Sequence, residues 1–146
     1  MGYLLKQYDL IAIGTGSAMN IVGIIIRRNP SIKVAIIDKD EPGGICLTRG
    51  CIPSKILLYP AELVRTMQNA SRFGIDIDIK KINSPKVMER MRGLVNRDIE
   101  MIRRGLSTTK NVDYYHAEAE FIAPYTLKVG NDTIASKMIL LCTGSK

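Results

Sequence analysis

Several scarce features narrow the reading of this sequence. It has one histidine, His116, and three cysteines, Cys46, Cys51 and Cys142, among 146 residues. A structural zinc site takes about four ligands. Beyond the close pair Cys46 and Cys51, only Cys142 and His116 remain, both in segments patterned as later strands, so no zinc site is expected. No apolar run approaches the ~20 residues of a membrane-spanning helix; residues 21–26 are too few and lead into Arg27 and Arg28. The first residues lack the charged-then-apolar order of a secretory signal, and Asp9 interrupts the apolar stretch around it. There are no blocks of like charge, which argues against disorder, and the scattered lysines and arginines carry no nucleic-acid motif. The expectation is a cytoplasmic chain with neither nucleic acid nor membrane as partner. In that compartment a close pair of cysteines is more often catalytic or metal-binding than a structural crosslink.

What is present fits one domain. A chain of 146 residues can bury one core and is too short for two typical domains. Lysine and arginine number 21 against 14 acidic residues, a net charge of +7. This is read as a solvated basic surface, or as a face that attracts an anionic cofactor or acidic partner.

Periodicity indicates an α/β fold. Residues 8–13 form a short apolar run ending at Gly14, the pattern of a buried parallel strand. A helix is expected over 17–28, with Ser17 as cap and Pro30 as stop, and a second buried strand over 33–38. Together these make a βαβ unit. A helical insertion comes next: 56–67, with a kink expected at Pro60, and a long helix opened by Ser84-Pro85. On the long helix Val87, Met91, Leu94, Val95, Met101 and Ile102 mark an inner face, while Glu89, Arg90, Arg97 and Arg103 face out. After Asn111 the pattern turns to strands: 112–122, then 126–129 and 133–135 about a turn at Gly130-Asn131-Asp132, then 137–141 with Cys142 in its core.

Gly14-Thr15-Gly16 lies between the first strand and the first helix, the context a dinucleotide-binding turn requires. The first glycine permits the turn, the second lets backbone approach a pyrophosphate, and the helix N-terminus offers free N–H groups to that anion. Asp38 closes the second strand, where an acid accepts hydrogen bonds from ribose hydroxyls and repels a 2′-phosphate, which argues against NADP here. The third small residue of the pattern is replaced by Met19. The turn alone does not separate FAD from NAD.

Cys46 and Cys51 are five positions apart. In a regular helix their Cα atoms would stand ~8–9 Å apart, whereas a disulfide needs less than ~7 Å. A bonded pair therefore requires the segment to leave regular helix from Cys46 onward. Gly50 supplies backbone freedom, and Pro53 suits the first turn of a following helix. Cys51 would then sit at a helix N-terminus, a position that favours the thiolate. Two inert buried thiols remain the alternative.

The run Gly43-Gly44-Ile45-Cys46-Leu47-Thr48-Arg49-Gly50-Cys51-Ile52-Pro53-Ser54-Lys55 closely resembles the active-site signature of class I pyridine nucleotide–disulfide oxidoreductases. That family includes dihydrolipoamide dehydrogenase, glutathione reductase and mercuric reductase, and the Ile52-Pro53-Ser54-Lys55 ending is most like the first. The resemblance implies a Rossmann-like FAD-binding domain with a parallel sheet, a helical insertion and a β-hairpin. Residues 1–146 would be its amino-terminal part, with the NAD(P) and interface domains elsewhere. It implies FAD as the first dinucleotide, held by Gly14, Gly16 and Ser17 at the pyrophosphate, Asp38 and Lys39 near the adenosine ribose, and Ala117 at the adenine. Gly44, Lys55, Thr143 and Gly144 would line the rest, with Lys55 close to the flavin. Cys51 would take electrons from the flavin and Cys46 would exchange with a dithiol, disulfide or lipoyl substrate. The parent would be a homodimer using NAD(H); a mercuric or other disulfide reductase, or an inactive FAD-binding module, are the alternatives. Met19, Ile45, Thr48-Arg49 and Ala117 depart from the family's usual residues. His116 lies outside the family's carboxy-terminal acid–base position and is read as structural.

Overall fold

The computed structural model describes residues 5 to 145. It contains eight strands: β1 (Leu5–Tyr8), β2 (Leu10–Ile13), β3 (Val34–Asp38), β4 (Val112–His116), β5 (Ala119–Ala123), β6 (Thr126–Val129), β7 (Asp132–Ser136) and β8 (Ile139–Leu141). The helices are α1 (Met19–Arg28), α2 (Gly44–Thr48), α3 (Cys51–Gln68) and α4 (Ser84–Thr108), with a 3-10 turn at Ala70–Phe73.

The strands form two sheets. One is wholly parallel, in the order β4-β3-β2-β8; the other runs β1-β7-β6-β5, with β1 parallel to β7 and the remaining pairs antiparallel. Ile11, Ala35 and Ile37 on one face of the parallel sheet pack against Leu127, Val129 and Ile134 of the mixed sheet. Leu10, Ala12, Val34 and Ile36 on the other face pack against Val22, with Ile25, Ile26 and Leu106 alongside. The parallel sheet is thus covered on both sides, which is why β2 and β3 read as unbroken apolar runs. Each fully buried isoleucine or leucine of these layers contributes about 1.5–3 kcal/mol. This is the α/β, Rossmann-like architecture expected, with the hairpin β6–β7 and the helical insertion in place.

Several local expectations change. The run 8–13 is broken at Asp9, whose carboxylate accepts the Lys33 N–H at 2.8 Å; Tyr8 ends a strand of one sheet and Leu10 starts a strand of the other. The run 112–122 is likewise split at Ala117-Glu118 between the two sheets. Ser17 does not cap α1: the helix starts at Met19 after Ala18, with no side-chain cap. Pro60 lies inside α3 without ending it. On α4, Val95 and Ile99 are buried while Met101 is exposed. Asn83 caps that helix, its side chain accepting the Lys86 N–H at 3.1 Å. Cys142 lies just past β8, its N–H donating to the Ile13 carbonyl.

The register aligns the carboxyl ends of the parallel strands: Ile13 with Ile37 and Leu141, and Asp38 with His116. In open parallel sheets this edge is where ligands bind.

Candidate functional site

At that edge lies a cavity of about 740 Å³, within the 300–1,000 Å³ usual for small-molecule and cofactor sites. Its wall brings together Gly14, Gly16 and Ser17 of the first turn, Asp38 and Lys39 at the end of β3, and Gly44, Cys46 and Cys51 of the cysteine segment. Ala117 follows β4, and Thr143 and Gly144 follow β8. Lys55 stands outside this lining, exposed on the first turn of α3. His116 is exposed at the end of β4, its ring stacked on Tyr114, and does not line the cavity.

Thr15, not singled out from the sequence, is the knot of the site. It is buried. Its N–H and hydroxyl both donate to Asp38 Oδ2, at 2.8 and 2.5 Å. The same hydroxyl accepts the Gly43 N–H at 3.1 Å. One side chain therefore ties the first turn to the end of β3 and to the segment leading into α2. The signal that could have found it is a small hydroxyl residue between two glycines, with an acid closing the next strand. Asp38 Oδ1 also accepts the Asp40 N–H at 3.0 Å. Of about four lone-pair positions on a carboxylate three are used, so Asp38 is first a clamp on the turn and keeps about one position for a further hydroxyl.

The glycines of this wall are held against backbone. Gly14 has φ +106°, and a Cβ there would lie 2.1 Å from the Cys142 carbonyl oxygen. Gly44, at φ +67°, would place a Cβ 2.6 Å from Gly16 Cα. Gly44 is thus demanded by the stacking of two turns. The N–H groups of Gly16, Ser17 and Ala18 donate to no protein group among the described residues. They lie at the N-terminus of α1, on the cavity wall, where unpaired N–H groups and the helix dipole suit an anion. A dinucleotide pyrophosphate fits that donor set, and the cavity's volume suits a ligand of that class.

The cysteine pair sits on a break between two helices. α2 carries Cys46 and ends at Thr48; Arg49 and Gly50 turn the chain, and Cys51 is the first residue of α3. The two cysteines therefore do not share one regular helix: the break falls between them, at Arg49 and Gly50, and the chain turns helical again at Cys51. A Cβ on Gly50 would lie 2.9 Å from the Ile45 carbonyl oxygen, so glycine lets α3 start close over α2. Ser54 reinforces the start of α3 by donating its hydroxyl to the Gly50 carbonyl at 2.7 Å. Both thiols are free and exposed. Hydrogen bonding to the Cys51 thiol, with some loss of hydration, pushes the Cys46 thiol above its ordinary range. The Cys51 backbone N–H and the charge of Lys55 act in the opposite sense.

Two ion pairs cross the mouth. Lys39 meets Glu118 at 3.2 Å and Arg49 meets Asp40 at 3.6 Å, all exposed. Such pairs are worth ~0–1 kcal/mol, so they close the rim without locking it.

No protein-family model matches the chain. It is similar to the dihydrolipoyl dehydrogenase of Chlamydia trachomatis serovar D, 34% identical over 144 residues that cover 97% of this chain and 30% of that protein. The dihydrolipoyl dehydrogenase of Bacillus subtilis is 29% identical over 153 residues, covering 96% of this chain and 32% of the relative. The mycothione reductase of Mycobacterium tuberculosis is 33% identical over 117 residues, covering 80% and 25%. The chain spans roughly a third or less of the length of the curated relatives it matches. Over nearly its whole length, the chain is related to part of the flavin-dependent disulfide oxidoreductases, the family of dihydrolipoyl dehydrogenase and mycothione reductase.

Proposed function

We propose that this chain is the FAD-binding portion of a flavoprotein disulfide oxidoreductase of dihydrolipoyl dehydrogenase type, with Cys46 and Cys51 as its redox pair. The observation that carries the reading is the meeting, on one cavity, of a pyrophosphate-competent turn and two adjacent free thiols. Gly14, Gly16 and Ser17 would bind the pyrophosphate, Asp38 and Lys39 the adenosine ribose, and Ala117 the adenine. Gly44, Thr143 and Gly144 would bound the remainder, and Lys55 would supply positive charge beside the pair. Bound there, FAD would supply two-electron transfer to and from the Cys46–Cys51 disulfide.

The chain's own residues carry the exchange. A substrate thiolate attacks Cys46 Sγ of the oxidised pair, forming a mixed disulfide and releasing the Cys51 thiolate. The second substrate thiol, once deprotonated, attacks its own sulfur in the mixed disulfide and releases the Cys46 thiolate. The substrate leaves as a disulfide and the pair holds two electrons. The exposure of both cysteines suits this exchange. Because the chain covers about 30% of the dihydrolipoyl dehydrogenases it resembles, we assign NAD(H) binding and acid–base chemistry to protein outside this sequence, and the chain by itself to an inactive binding module. The parent is proposed as a cytoplasmic homodimer acting on a dithiol or lipoyl group. Among the described residues no helix is long and apolar enough to cross a membrane.

Titration of the chain with FAD, followed by flavin fluorescence and by the amide signals of Gly16, Ser17 and Ala18, tests the binding. Saturable shifts of those amides are expected; their absence at millimolar FAD would remove the assignment. Intact protein is expected to form NADH from NAD and dihydrolipoamide, and the isolated chain is not. Failure of the intact protein with dihydrolipoamide, but activity with another disulfide or mercuric ion, would move the substrate within the family.

A further inference from the structure

A second cavity, of about 620 Å³, lies between α1 and α4, on the face of the parallel sheet that both helices cover. α1 lines it between Met19 and Arg27, α4 between Ile102 and Thr109, and Ile36 belongs to the sheet beneath. Seven residue steps of helix rise about 10 Å, so the cavity is a groove of roughly that length. Two glycines keep it open. A Cβ at Gly105 would meet nothing within 4 Å outside its own stretch of helix, and a Cβ at Gly23 would stand 3.4 Å from the Arg27 guanidinium. Arg27 therefore reaches back from the last turn of α1 over Gly23. The end of a helix is its negative pole, and folding back carries the guanidinium away from it.

The lining selects the occupant. Among the described residues Arg27 is the one charged side chain on the groove wall, and it is in no ion pair. Asn20, Gly23 and Arg27 fall at i, i+3 and i+7, on one face of α1. The Asn20 amide and the Arg27 guanidinium thus flank the open space over Gly23. Away from them the walls are mainly apolar, with Met19, Ile26 and Leu106 facing the groove. A guanidinium fork fits a carboxylate with two parallel hydrogen bonds, and an apolar trough fits an aliphatic chain. The groove also meets the cofactor cavity: Cys46 lines both, whereas Cys51 lines the cofactor cavity and not the groove. We propose that the groove binds a straight-chain aliphatic carboxylate of about eight carbons, matched to its length of about 10 Å, with the head on Arg27 and Asn20 and the tail beside Cys46. The bound chain covers Cys46 from that side and leaves Cys51 open. The site does not rest on the cofactor reading, because neither Asn20 nor Arg27 lines the cofactor cavity.

The test is titration of the full chain with octanoate, read on the amide signals of Gly23 and Gly105 and on the rates at which iodoacetamide alkylates the two cysteines. Saturable shifts of both amides are expected at millimolar octanoate or below. At saturation Cys46 should be alkylated severalfold more slowly and Cys51 at an unchanged rate. R27Q should weaken octanoate about tenfold. Neutral octanamide should bind R27Q and the unaltered chain alike. G105L sets a side chain in the open space and should abolish binding of both ligands. Leucine suits a helix better than glycine, and far-ultraviolet circular dichroism would confirm that each variant keeps its fold. No saturable shift at millimolar octanoate, full affinity in R27Q or G105L, or equal protection of the two cysteines would each overturn the site.

Discussion

The two turns that share the cavity are built in opposite ways. The turn at Gly14–Gly16 is locked: its middle residue is buried and hydrogen-bonded in two directions, and a side chain at Gly14 would run into backbone. The turn at Arg49–Gly50 is open: its two cysteines are exposed, and Arg49 meets only a loose ion pair. The difference suits a division of labour. A site that must greet an anion without reorganising benefits from fixed donors. A thiol pair that must meet an incoming substrate benefits from access.

The contrast is most easily broken at Gly14. Alanine there needs a left-handed φ and drives Cβ into the Cys142 carbonyl; a loss of about 3 kcal/mol or more is expected in urea unfolding. A loss under about 1 kcal/mol would mean the turn is looser than described. Thr15→Val comes next. It keeps the shape but removes both hydroxyl bonds and leaves the Gly43 N–H without its acceptor, so a loss of about 1–3 kcal/mol is expected by the same measurement. Gly50→Ala should cost less, about 1–2 kcal/mol, because φ at Gly50 is −122°, outside the left-handed region, and its closest contact, with the Ile45 carbonyl, is less severe than the one at Gly14. Its clearer sign should be slower closure of the Cys46–Cys51 disulfide under a mild oxidant. The smallest structural effect is expected from Cys51→Ala, with the unfolding midpoint unmoved. Yet in the reduced chain the Cys51 thiol is the foremost cause holding the Cys46 pKa up. Removing it lowers that pKa, and at a pH below it a larger fraction of Cys46 becomes thiolate. Iodoacetamide should therefore alkylate Cys46 faster at neutral pH in the variant, with the rate–pH curve displaced to lower pH.

Much of this fold is legible in the residues alone. The βαβ unit announces itself because β2 and β3 are covered on both faces and so lack polar interruptions, and the hairpin because glycine and asparagine mark its turn. The two broken strands are not legible. A chain that leaves one sheet and joins another after one or two residues keeps its β pattern, so only the partner strands distinguish 8–13 from a single strand. Asp9 is the one clue, a polar residue inside an apolar run. The short α2 is hidden because five residues show too little of a 3.6-residue period. Cavity-lining glycines can be named from the turn motif. The clamp at Thr15 cannot, since it depends on Gly43 and Asp38 arriving from different elements.

The passages of the chain between its two sheets have one more consequence. Tyr8 hands over to Leu10 across Asp9, His116 to Ala119 across two residues, and Ser136 to Ile139 across two more. At the third, Ser136 Oγ donates to the Met138 carbonyl, which also accepts the Ile11 N–H from β2. Neither sheet can peel away without tearing these seams, so partial opening has no natural place to stop. The layers should melt in a single step. In native-state hydrogen exchange, the amides of the central strand β2 and of the inner hairpin strand β6 should open together, with the same free energy as the whole molecule.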